Sequence, residues 1–470
     1  MAALTVLHGL LRERASLAVT LAGIVLRLVI LVWAYARFEP VADGIYYHAH
    51  AIRLADGFGY SWPNADGSAH AVAHYPVGYP AIISGFYRLL GPAAGVAMLA
   101  NTLVGCVATA LFVRTTFQLS EDRRRATIAA LSFALHPALL LYAPALMTEA
   151  FTASLYAILF ACFASWMRGE AGVARASWLV AFGLVGGLAT LVRPQSFLIV
   201  LAFACAALLF RTRVATRVTA AVAMLSLTLL VVLPWTRRNC DVMGECALVS
   251  MNDGWNLLIG TNPSANGTWT EVVVPDACAG EDGEAAVNRC FGSEARRVIA
   301  QDPAGWLSLV PSKLGRTFDY AGAGPWYLHA SNPVSFPYAA KVATGAFETT
   351  WMRLVLAWAL VGLLRDALPR FARVATLLAI LLALLPWATP AYLLFAVLAL
   401  KSAAGRRADA GALVLGLAGA LVVVTAVVHA VFFGSGRYAL MVVPSASLGL
   451  LLGLGSRANP HDRQAFEHST

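Results

Sequence analysis

Two acidic residues in this sequence stand where an apolar run meets a polar segment. Asp43 comes a few residues after the first apolar run, and Glu149 opens a later run directly after Thr148. A carboxylate at such a boundary can take a proton from an attacking hydroxyl group. Glu149 fits equally well as an acid placed near a helix N-terminus by the helix dipole, and Asp43 as an ordinary polar loop residue. Spacing alone leaves both interpretations of each residue open.

Three isolated arginines lie in polar connections close to prolines or tyrosines. They are Arg193, Arg238, which follows Arg237 directly, and Arg437. A guanidinium group matches the geometry of a phosphate with two parallel hydrogen bonds, so such arginines suit a phosphate-bearing substrate. Each could instead pair with one of the two acids or reach a lipid headgroup.

Aromatic side chains accompany the first acid in the polar segment 38–92. Tyr47, Tyr75 and Tyr79 are candidates for stacking on the faces of a sugar, and Tyr438 follows the last of the three arginines. His74 is a further candidate for substrate contact, although an ordinary polar loop residue is the simpler interpretation.

The composition indicates where these residues work. The chain has 470 residues, of which 59% are hydrophobic and 13% charged, with a mean hydropathy of +0.70. Soluble domains carry about 25% charged residues. The net charge of +9 arises from short basic clusters between apolar runs, which is the pattern of cytoplasmic membrane loops. We therefore expect a polytopic membrane protein and no nucleic-acid partner.

The apolar runs predict an all-α bundle of about twelve transmembrane helices, with interfacial helices in segment 38–92. The expected spans are 17–37, 93–118, 127–143, 150–167, 177–192, 195–210, 218–235, 351–368, 374–388, 390–402, 411–433 and 439–455. Pro386 and Pro390 interrupt residues 374–402, and parity favours a short hairpin there over one helix.

Basic residues assign the sides of the membrane. On the twelve-span topology, one set of basic residues falls entirely on a single side, which is the cytoplasm, together with both termini. They are Arg12, Arg14, residues 121–125, Arg168, Arg175, residues 211–217, Arg365, Arg370, Arg373, Lys401, Arg406, Arg407, Arg457 and Arg463.

Three regions follow from this topology. We expect an N-terminal transmembrane module over 1–235 that contains the outer segment 38–92, a compact extracytoplasmic cap over 236–350, and a C-terminal transmembrane module over 351–470. The cap holds 12 acidic and 8 basic residues, a net charge of −4 that supports its outer location. Residues 302–318 predict an amphipathic helix lying on the membrane or on the body of the protein.

Four cysteines also fall in the cap. Cys240, Cys246, Cys278 and Cys290 permit two disulfides if the cap faces an oxidising compartment.

The motifs together resemble the GT-C glycosyltransferases, in particular bacterial relatives of the protein O-mannosyltransferases and the aminoarabinose transferase of lipid A. The resemblance covers most of the chain in order. It is carried by Asp43…Tyr47…Gly57-x-Gly59, Tyr75-Pro76-x-Gly78-Tyr79-Pro80, Thr148-Glu149, Arg193-Pro194, Pro234-Trp235…Arg238-Asn239, Gly254-x-Asn256…Gly260-x-Asn262-Pro263 and Arg437-Tyr438…Pro444. The eukaryotic protein mannosyltransferases have Asp-Glu where this chain has Asp43-Gly44, which favours the broader bacterial group.

The resemblance implies transfer of a sugar from a polyprenyl-phosphate donor to an extracytoplasmic glycan, lipid or protein acceptor at the bacterial inner membrane. Asp43 would be the general base of an inverting displacement, Glu149 a second catalytic acid, and the arginines the stabilisers of the leaving phosphate. Two acids in separate segments are compatible with a reaction that uses a divalent cation and with one that does not. The alternatives are a polyprenyl-linked glycan flippase, which needs polar residues within the spans, and an O-antigen ligase or polymerase. Here the polar residues gather in the outer segments.

Overall fold

The computed structural model describes residues 14–169, 172–405 and 409–451. The prediction of an all-α polytopic protein is confirmed, because helices make up almost all of its regular structure. The helices are α1 Arg14–Ala34, α2 Asp43–Ala55, α3 Gly78–Leu90, α4 Ala94–Leu119, α5 Arg123–Ala134, α6 Pro137–Tyr142, α7 Glu149–Arg168, α8 Val173–Val192, α9 Ser196–Leu209, α10 Val214–Met243, α11 Asp253–Ile259, α12 Glu284–Gln301, α13 Pro303–Ser308, α14 Val310–Phe318, α15 Ala323–Ser331, α16 Tyr338–Ala367, α17 Ala372–Leu384, α18 Thr389–Gly405, α19 Ala410–Val431 and α20 Val443–Gly449.

Eight stretches of helix in the described chain are long and apolar enough to cross a membrane, one of them joining α5 and α6 over Arg123–Ala145. Two shorter apolar helices, α9 and α18, accompany them. Large apolar side chains cover their outer faces, and Val32 on α1 is 76% exposed. Such faces are unfavourable in water and suit contact with lipid.

Helical structure overlaps every one of the twelve predicted spans. The hairpin expected over 374–402 is confirmed, since α17 ends at Leu384 and α18 begins at Thr389. The last predicted span begins within a 3-10 helix, Gly436–Val442, and continues through α20; its residues 452–455 lie outside the described residues. Also outside them are Arg12, Arg406, Arg407, Arg457 and Arg463.

The centre of the bundle is α7. Every residue from Glu149 to Met167 is buried, and the helix packs between α4 and α8. An all-round apolar surface of this kind is what a helix at the core of a membrane bundle requires. Its outer end therefore delivers Glu149 to the middle of the molecule.

The expectation that polar residues gather outside the spans is wrong for Arg27 and Arg114, which are buried within α1 and α4. Arg27 donates to the Ala134 carbonyl over 2.7 Å, and Arg114 donates to Ser165 Oγ over 2.9 Å. Both arginines thus bond one helix to another. Sequence patterning missed them because each is a single charge within a long apolar run.

Between α1 and α4 the chain forms the outer segment with two short helices, α2 and α3, as expected. A small antiparallel hairpin, which the sequence did not predict, lies between them: Ser61–Pro63 pairs with Ala69–Ala71. Its turn includes Gly67 at φ 84°, a conformation that glycine adopts without steric cost.

The cap consists of α11 to α15 with short 3-10 turns. Disulfides join Cys240 to Cys246 and Cys278 to Cys290. Helix α10 continues to Met243 and α16 begins at Tyr338, so the expected region boundaries at 235 and 350 fall inside these two helices.

The predicted amphipathic helix over 302–318 forms as two helices, α13 and α14. Asp302 caps the first by accepting from the Gly305 N–H over 2.8 Å. Leu307 is 57% exposed, whereas Lys313 and Phe318 on α14 are buried. Because α14 packs on α19, this element lies on the body of the protein.

Candidate functional site

Asp43 is the first residue of α2, at the outer end of the bundle. The preceding residue, Ala42, has φ 51°, a conformation that costs energy for a residue with a side chain. A Cβ atom on Gly44 would lie 3.2 Å from the Ala145 carbonyl oxygen. Glycine after the acid thus lets α2 approach the segment that leads to Glu149, which gives the Asp43-Gly44 pair a packing reason.

Glu149 is the first residue of α7 and is 1% exposed. The chain reaches it through Leu146, which has a left-handed backbone with φ 52°. Tyr142, at the end of α6, donates its hydroxyl to Glu149 Oε2 over 2.6 Å. A buried carboxylate needs such partners, since burial without them is costly.

Two arginines meet the two acids. Arg193 Nη1 lies 2.8 Å from Glu149 Oε1, and Arg437 Nη1 lies 2.7 Å from Asp43 Oδ2. Arg437 Nε is 3.2 Å from the same Oε1 of Glu149, so Arg437 bridges both carboxylates. Four residues from four distant segments thereby form one charge cluster, which we call the acid–arginine cluster (Asp43, Glu149, Arg193 and Arg437).

The cluster retains unused hydrogen-bond donors. Arg193 donates through Nη1 alone, to Glu149 and to Thr148 Oγ1, while its Nε and Nη2 make no hydrogen bond to any described residue. Arg437 Nε is buried and has no hydrogen-bond acceptor, because its N–H does not point at the nearby carboxylate. The Nε and Nη2 edge of an arginine is a fork that fits two oxygens of a phosphate.

Tyr438 lies between the two arginines. Each guanidinium carbon is 5.2 Å from the centre of its ring, and Arg437 Nη2 donates to its hydroxyl over 3.3 Å. His429 of α19 stacks on the same ring with centroids 3.8 Å apart. Tyr438 therefore contacts both cations, and the attraction between an aromatic ring and a cation helps to hold them.

Aromatic residues of the outer segment surround Asp43. Tyr75 Oη is 3.5 Å from Asp43 Oδ1, and its ring stacks on Tyr46 at 5.0 Å. Tyr47 meets Tyr75 edge-on at 5.4 Å and Tyr79 edge-on at 5.5 Å. These contacts form an aromatic wall beside the carboxylate.

Three of the predicted substrate residues lie differently. Tyr79 is fully buried behind Tyr47 and packs on Phe151. His74 lies behind Tyr75 and meets Trp255 of the cap edge-on at 5.4 Å. Arg238 is outside the acid–arginine cluster: its guanidinium donates to the backbone carbonyls of Tyr60 and Val72, each over 2.9 Å.

Burial and neighbouring charges set the protonation of the site. Burial raises the pKa of Tyr47 well above its usual range, and the Asp43 carboxylate raises it further. Burial alone would lower the pKa of Arg193, but Glu149 beside it raises that pKa above its ordinary value. The pKa of Arg437 is likewise raised, against its burial, by Tyr438, Tyr327 and the two acids. The site thus presents two fixed cations and neutral tyrosine hydroxyls.

The sequence interpretation missed three members of the site. Tyr142 bonds Glu149, Tyr327 of α15 accepts from Arg437 Nη1 over 3.0 Å, and His429 stacks on Tyr438. Tyr142 lies seven residues before Glu149 in the same break between apolar runs, a signal that was available. Tyr327 lies in no sequence motif that indicates a functional site, and His429 is a single histidine in an apolar run.

No group of three or more His, Cys, Asp or Glu side chains that could hold a metal ion occurs in the described part of the chain. Asp43 and Glu149 both contact Arg437.

Comparison with known families supports the resemblance. The sequence profile of the dolichyl-phosphate-mannose-protein mannosyltransferases matches residues 74–236. This match, over about a third of the chain, contains Tyr75, Glu149 and Arg193 and excludes Asp43 and Arg437. The comparison with curated proteins found no match.

Similar solved structures include one archaeal and one bacterial protein. The archaeal oligosaccharyltransferase AglB from Archaeoglobus fulgidus, in complex with an inhibitory peptide and a dolichol-phosphate, is 12% identical, with a TM-score of 0.46 over 96% of this chain and 53% of that one. ArnT from Cupriavidus metallidurans, bound to undecaprenyl phosphate, is 15% identical, with a TM-score of 0.42 over 92% of this chain and 77% of that one. The chain thus spans about half the length of the archaeal enzyme.

Proposed function

We propose that this chain is a membrane glycosyltransferase that moves a sugar from a polyprenyl-phosphate carrier to an acceptor outside the cytoplasm. The observation that carries the proposal is the acid–arginine cluster, in which a part-exposed carboxylate lies beside two arginines, of which Arg193 keeps its Nε and Nη2 donors without a described acceptor. The profile match to enzymes named for a dolichyl-phosphate-mannose donor supports the same donor class.

Asp43 is the better candidate for the base. Its side chain is 30% exposed, whereas that of Glu149 is 1% exposed and fully engaged by Tyr142 and Arg193. A base must lie within hydrogen-bond reach of the hydroxyl that it deprotonates. Glu149 therefore holds the two arginines in place, and Asp43 faces the acceptor.

In the proposed reaction the acceptor oxygen bonds to the anomeric carbon of the sugar from the side opposite the phosphate. The bond from that carbon to the phosphate oxygen breaks, and its electron pair leaves with the lipid phosphate. The acceptor proton passes to Asp43 late, as positive charge develops on the sugar. Arg193 and Arg437 stabilise the charge on the leaving phosphate, and the anomeric configuration inverts.

The expected location is the inner membrane of a bacterium with the site on the outer side. Two disulfides in the cap are consistent with an oxidising compartment. The segments 121–125 and 211–217 each contain a basic cluster at the start of a helix. Both clusters lie at the end of the bundle opposite Asp43, in agreement with the positive-inside rule.

The test is complementation of a strain that lacks the gene. We expect the strain to lack one sugar on an extracytoplasmic glycan, lipid or protein and to accumulate the matching polyprenyl-phosphate sugar on the outer leaflet. The wild-type chain restores the sugar. Asp43→Asn does not, because transfer falls by at least about a hundredfold when the base is lost. The readouts are mass spectrometry of surface glycoconjugates and of the lipid extract.

Asp56→Asn is the matched control, since Asp56 is an exposed acid just after α2. It should restore the sugar fully. Restoration by Asp43→Asn would overturn the assignment of the base. Accumulation of the lipid-linked sugar on the cytoplasmic leaflet instead would identify a flippase, and loss of an intact polymer rather than one sugar would indicate a ligase or polymerase.

A further inference from the structure

The backbone that leads into Tyr75 makes four hydrogen bonds at three successive residues, 72–74, with the end of α10 and with the cap segment that follows it. The Val72 carbonyl accepts from Arg238 Nη1 over 2.9 Å, and the Ala73 carbonyl accepts from the Met251 N–H over 2.8 Å. Both bonds come from residues more than 150 positions later in the chain. The Val72 N–H bonds locally, to the Tyr60 carbonyl over 3.3 Å, but the carbonyls of Val72 and Ala73 are held by these distant segments.

Glu284 supplies the other two bonds. Its Oε2 accepts from the N–H of Ala73 and from the N–H of His74, the latter over 2.9 Å. Ala73 is fully buried, so an unpaired N–H there would be costly. One carboxylate oxygen thus fixes two consecutive peptide groups immediately before Tyr75.

These hydrogen bonds fix the aromatic wall beside Asp43. The Tyr75 carbonyl accepts from Tyr60 Oη over 2.9 Å, so the residue is held on both sides of its own Cα atom. Its ring then has a defined place, 5.0 Å from Tyr46, with its hydroxyl 3.5 Å from Asp43 Oδ1. A shift at residues 73–74 would move this hydroxyl away from Asp43.

A disulfide holds Glu284 in its own place. Glu284 lies in the loop closed by Cys278–Cys290, whose sequence separation is 12 residues, at its midpoint. Closing a loop restricts the positions that its residues can adopt. The Cys278–Cys290 bond therefore limits how far Glu284 can move from residues 73–74.

We propose that Glu284 is a positioning residue for the transfer reaction, which holds Tyr75 against Asp43, and that the Cys278–Cys290 disulfide keeps it there. The inference rests on the proposed function and adds that the cap, and its oxidation, set the geometry of the catalytic segment.

Substitutions at Glu284 separate positioning from simple stability. In Glu284→Ala the acceptor oxygen is lost, and in Glu284→Asp the shortened side chain cannot reach both N–H groups while the charge remains. We expect both to lower the rate of transfer at saturating donor about ten- to a hundredfold, with little change in the donor concentration for half-maximal rate. Glu284→Gln keeps an acceptor oxygen and should recover the rate to within about threefold. The probe is the lipid-linked sugar extracted from the deletion strain.

Hydrogen exchange gives a readout independent of activity. In purified Glu284→Ala and Glu284→Asp, the amides of residues 73–75 should exchange faster than in the wild type, while α7 and α8 remain unchanged. Glu281→Ala is the control, since Glu281 is an exposed acid three residues away in the same disulfide loop. Its rate and its exchange should match the wild type.

The disulfide is tested with Cys278→Ser combined with Cys290→Ser. This variant should behave like Glu284→Ala, and adding Glu284→Ala to it should cause little further loss, because both act through the same contact.

The outcomes distinguish the two proposals. If the wild type and Glu281→Ala consume no donor, the proposed function fails. If they do and Glu284→Ala keeps the wild-type rate, or loses it without faster exchange at residues 73–75, the positioning role is overturned.

Discussion

Glu149 is the anion on which the two arginines of the site depend. It accepts from Arg193 over 2.8 Å and from Tyr142 over 2.6 Å, and Arg437 Nε lies 3.2 Å away. All of these partners are themselves largely buried. Removing one member of a buried ion pair leaves the other charge without compensation, which costs far more than the loss of an exposed pair.

Glu149→Gln should therefore lower the free energy of unfolding by roughly 3–5 kcal/mol, because two guanidinium groups lose their shared counter-ion. Denaturation of the purified protein in mixed detergent micelles measures the change.

Glu245→Gln is the matched control for Glu149→Gln. Glu245 also pairs with an arginine, Arg289, over 2.9 Å, but both side chains are at least 36% exposed. Its loss should cost less than about 1 kcal/mol. Equal effects of the two substitutions would show that Glu149 is not the compensating charge of the cluster.

Single residues were predictable where a charge interrupts an apolar pattern. Asp43, Glu149, Arg193 and Arg437 all stand at such breaks, and the resemblance ordered them. Their mutual contacts were not readable, because the Arg437 to Asp43 bond spans 394 residues of sequence. Arg238 was predicted from its position in the sequence to bind a phosphate. Its guanidinium instead donates to backbone carbonyls.

Among the elements, α14 of the cap fixes the segment that carries Arg437. Lys313 Nζ donates to the carbonyls of Ala430 and Val431 at the end of α19, each over 3.2 Å. The Gly434 N–H donates to the Gly267 carbonyl over 2.8 Å. A cation at a helix C-terminus also complements the helix dipole.

Lys313→Met should destabilise the protein by about 1–3 kcal/mol, since two part-buried carbonyls lose their donor. It should also raise the donor concentration for half-maximal rate, because the Arg437 segment is less firmly held. Lys341→Met is the control: Lys341 contacts only the ring of the exposed Tyr338, and its loss should leave both quantities unchanged. An unaltered donor dependence in Lys313→Met would separate α14 from the phosphate site.

Elements were predictable where one pattern repeats over enough residues. The long helices follow from apolar runs, and the break between α17 and α18 follows from two prolines. The hairpin in the outer segment was missed because three-residue strands are too short to show alternation, although Asp66-Gly67 is a typical turn pair. The division of residues 302–318 into two helices occurs at Pro311, in the first turn of α14, a signal that the sequence displays and that the prediction of one helix overlooked.

At the scale of the whole molecule, charge and covalent chemistry agree on orientation. The described basic clusters lie at one end of the bundle, and the disulfides, Asp43 and the cap lie at the other. The cap carries a net charge of −4 within a chain of +9. The positive-inside rule then predicts that the cap lies outside.

Fusion of alkaline phosphatase, which folds only where disulfides form, should test this orientation. A fusion after Gly267 in the cap should be active, and one after Arg213 between α9 and α10 should be inactive, with equal amounts of protein by immunoblot. Activity in the second fusion would reverse the topology and move Asp43 to the cytoplasmic side.

The separation of the paired charges also dictates an order of events during synthesis. Arg193, the partner of Glu149, is synthesised 44 residues after it, within the hairpin of α7 and α8. Arg437, the partner of Asp43, is synthesised 394 residues after it. A nascent chain halted anywhere between these points holds its acid without the arginine that completes the site. Under the proposed function, chains that stop before residue 437 should transfer no sugar, because the acid–arginine cluster lacks Arg437.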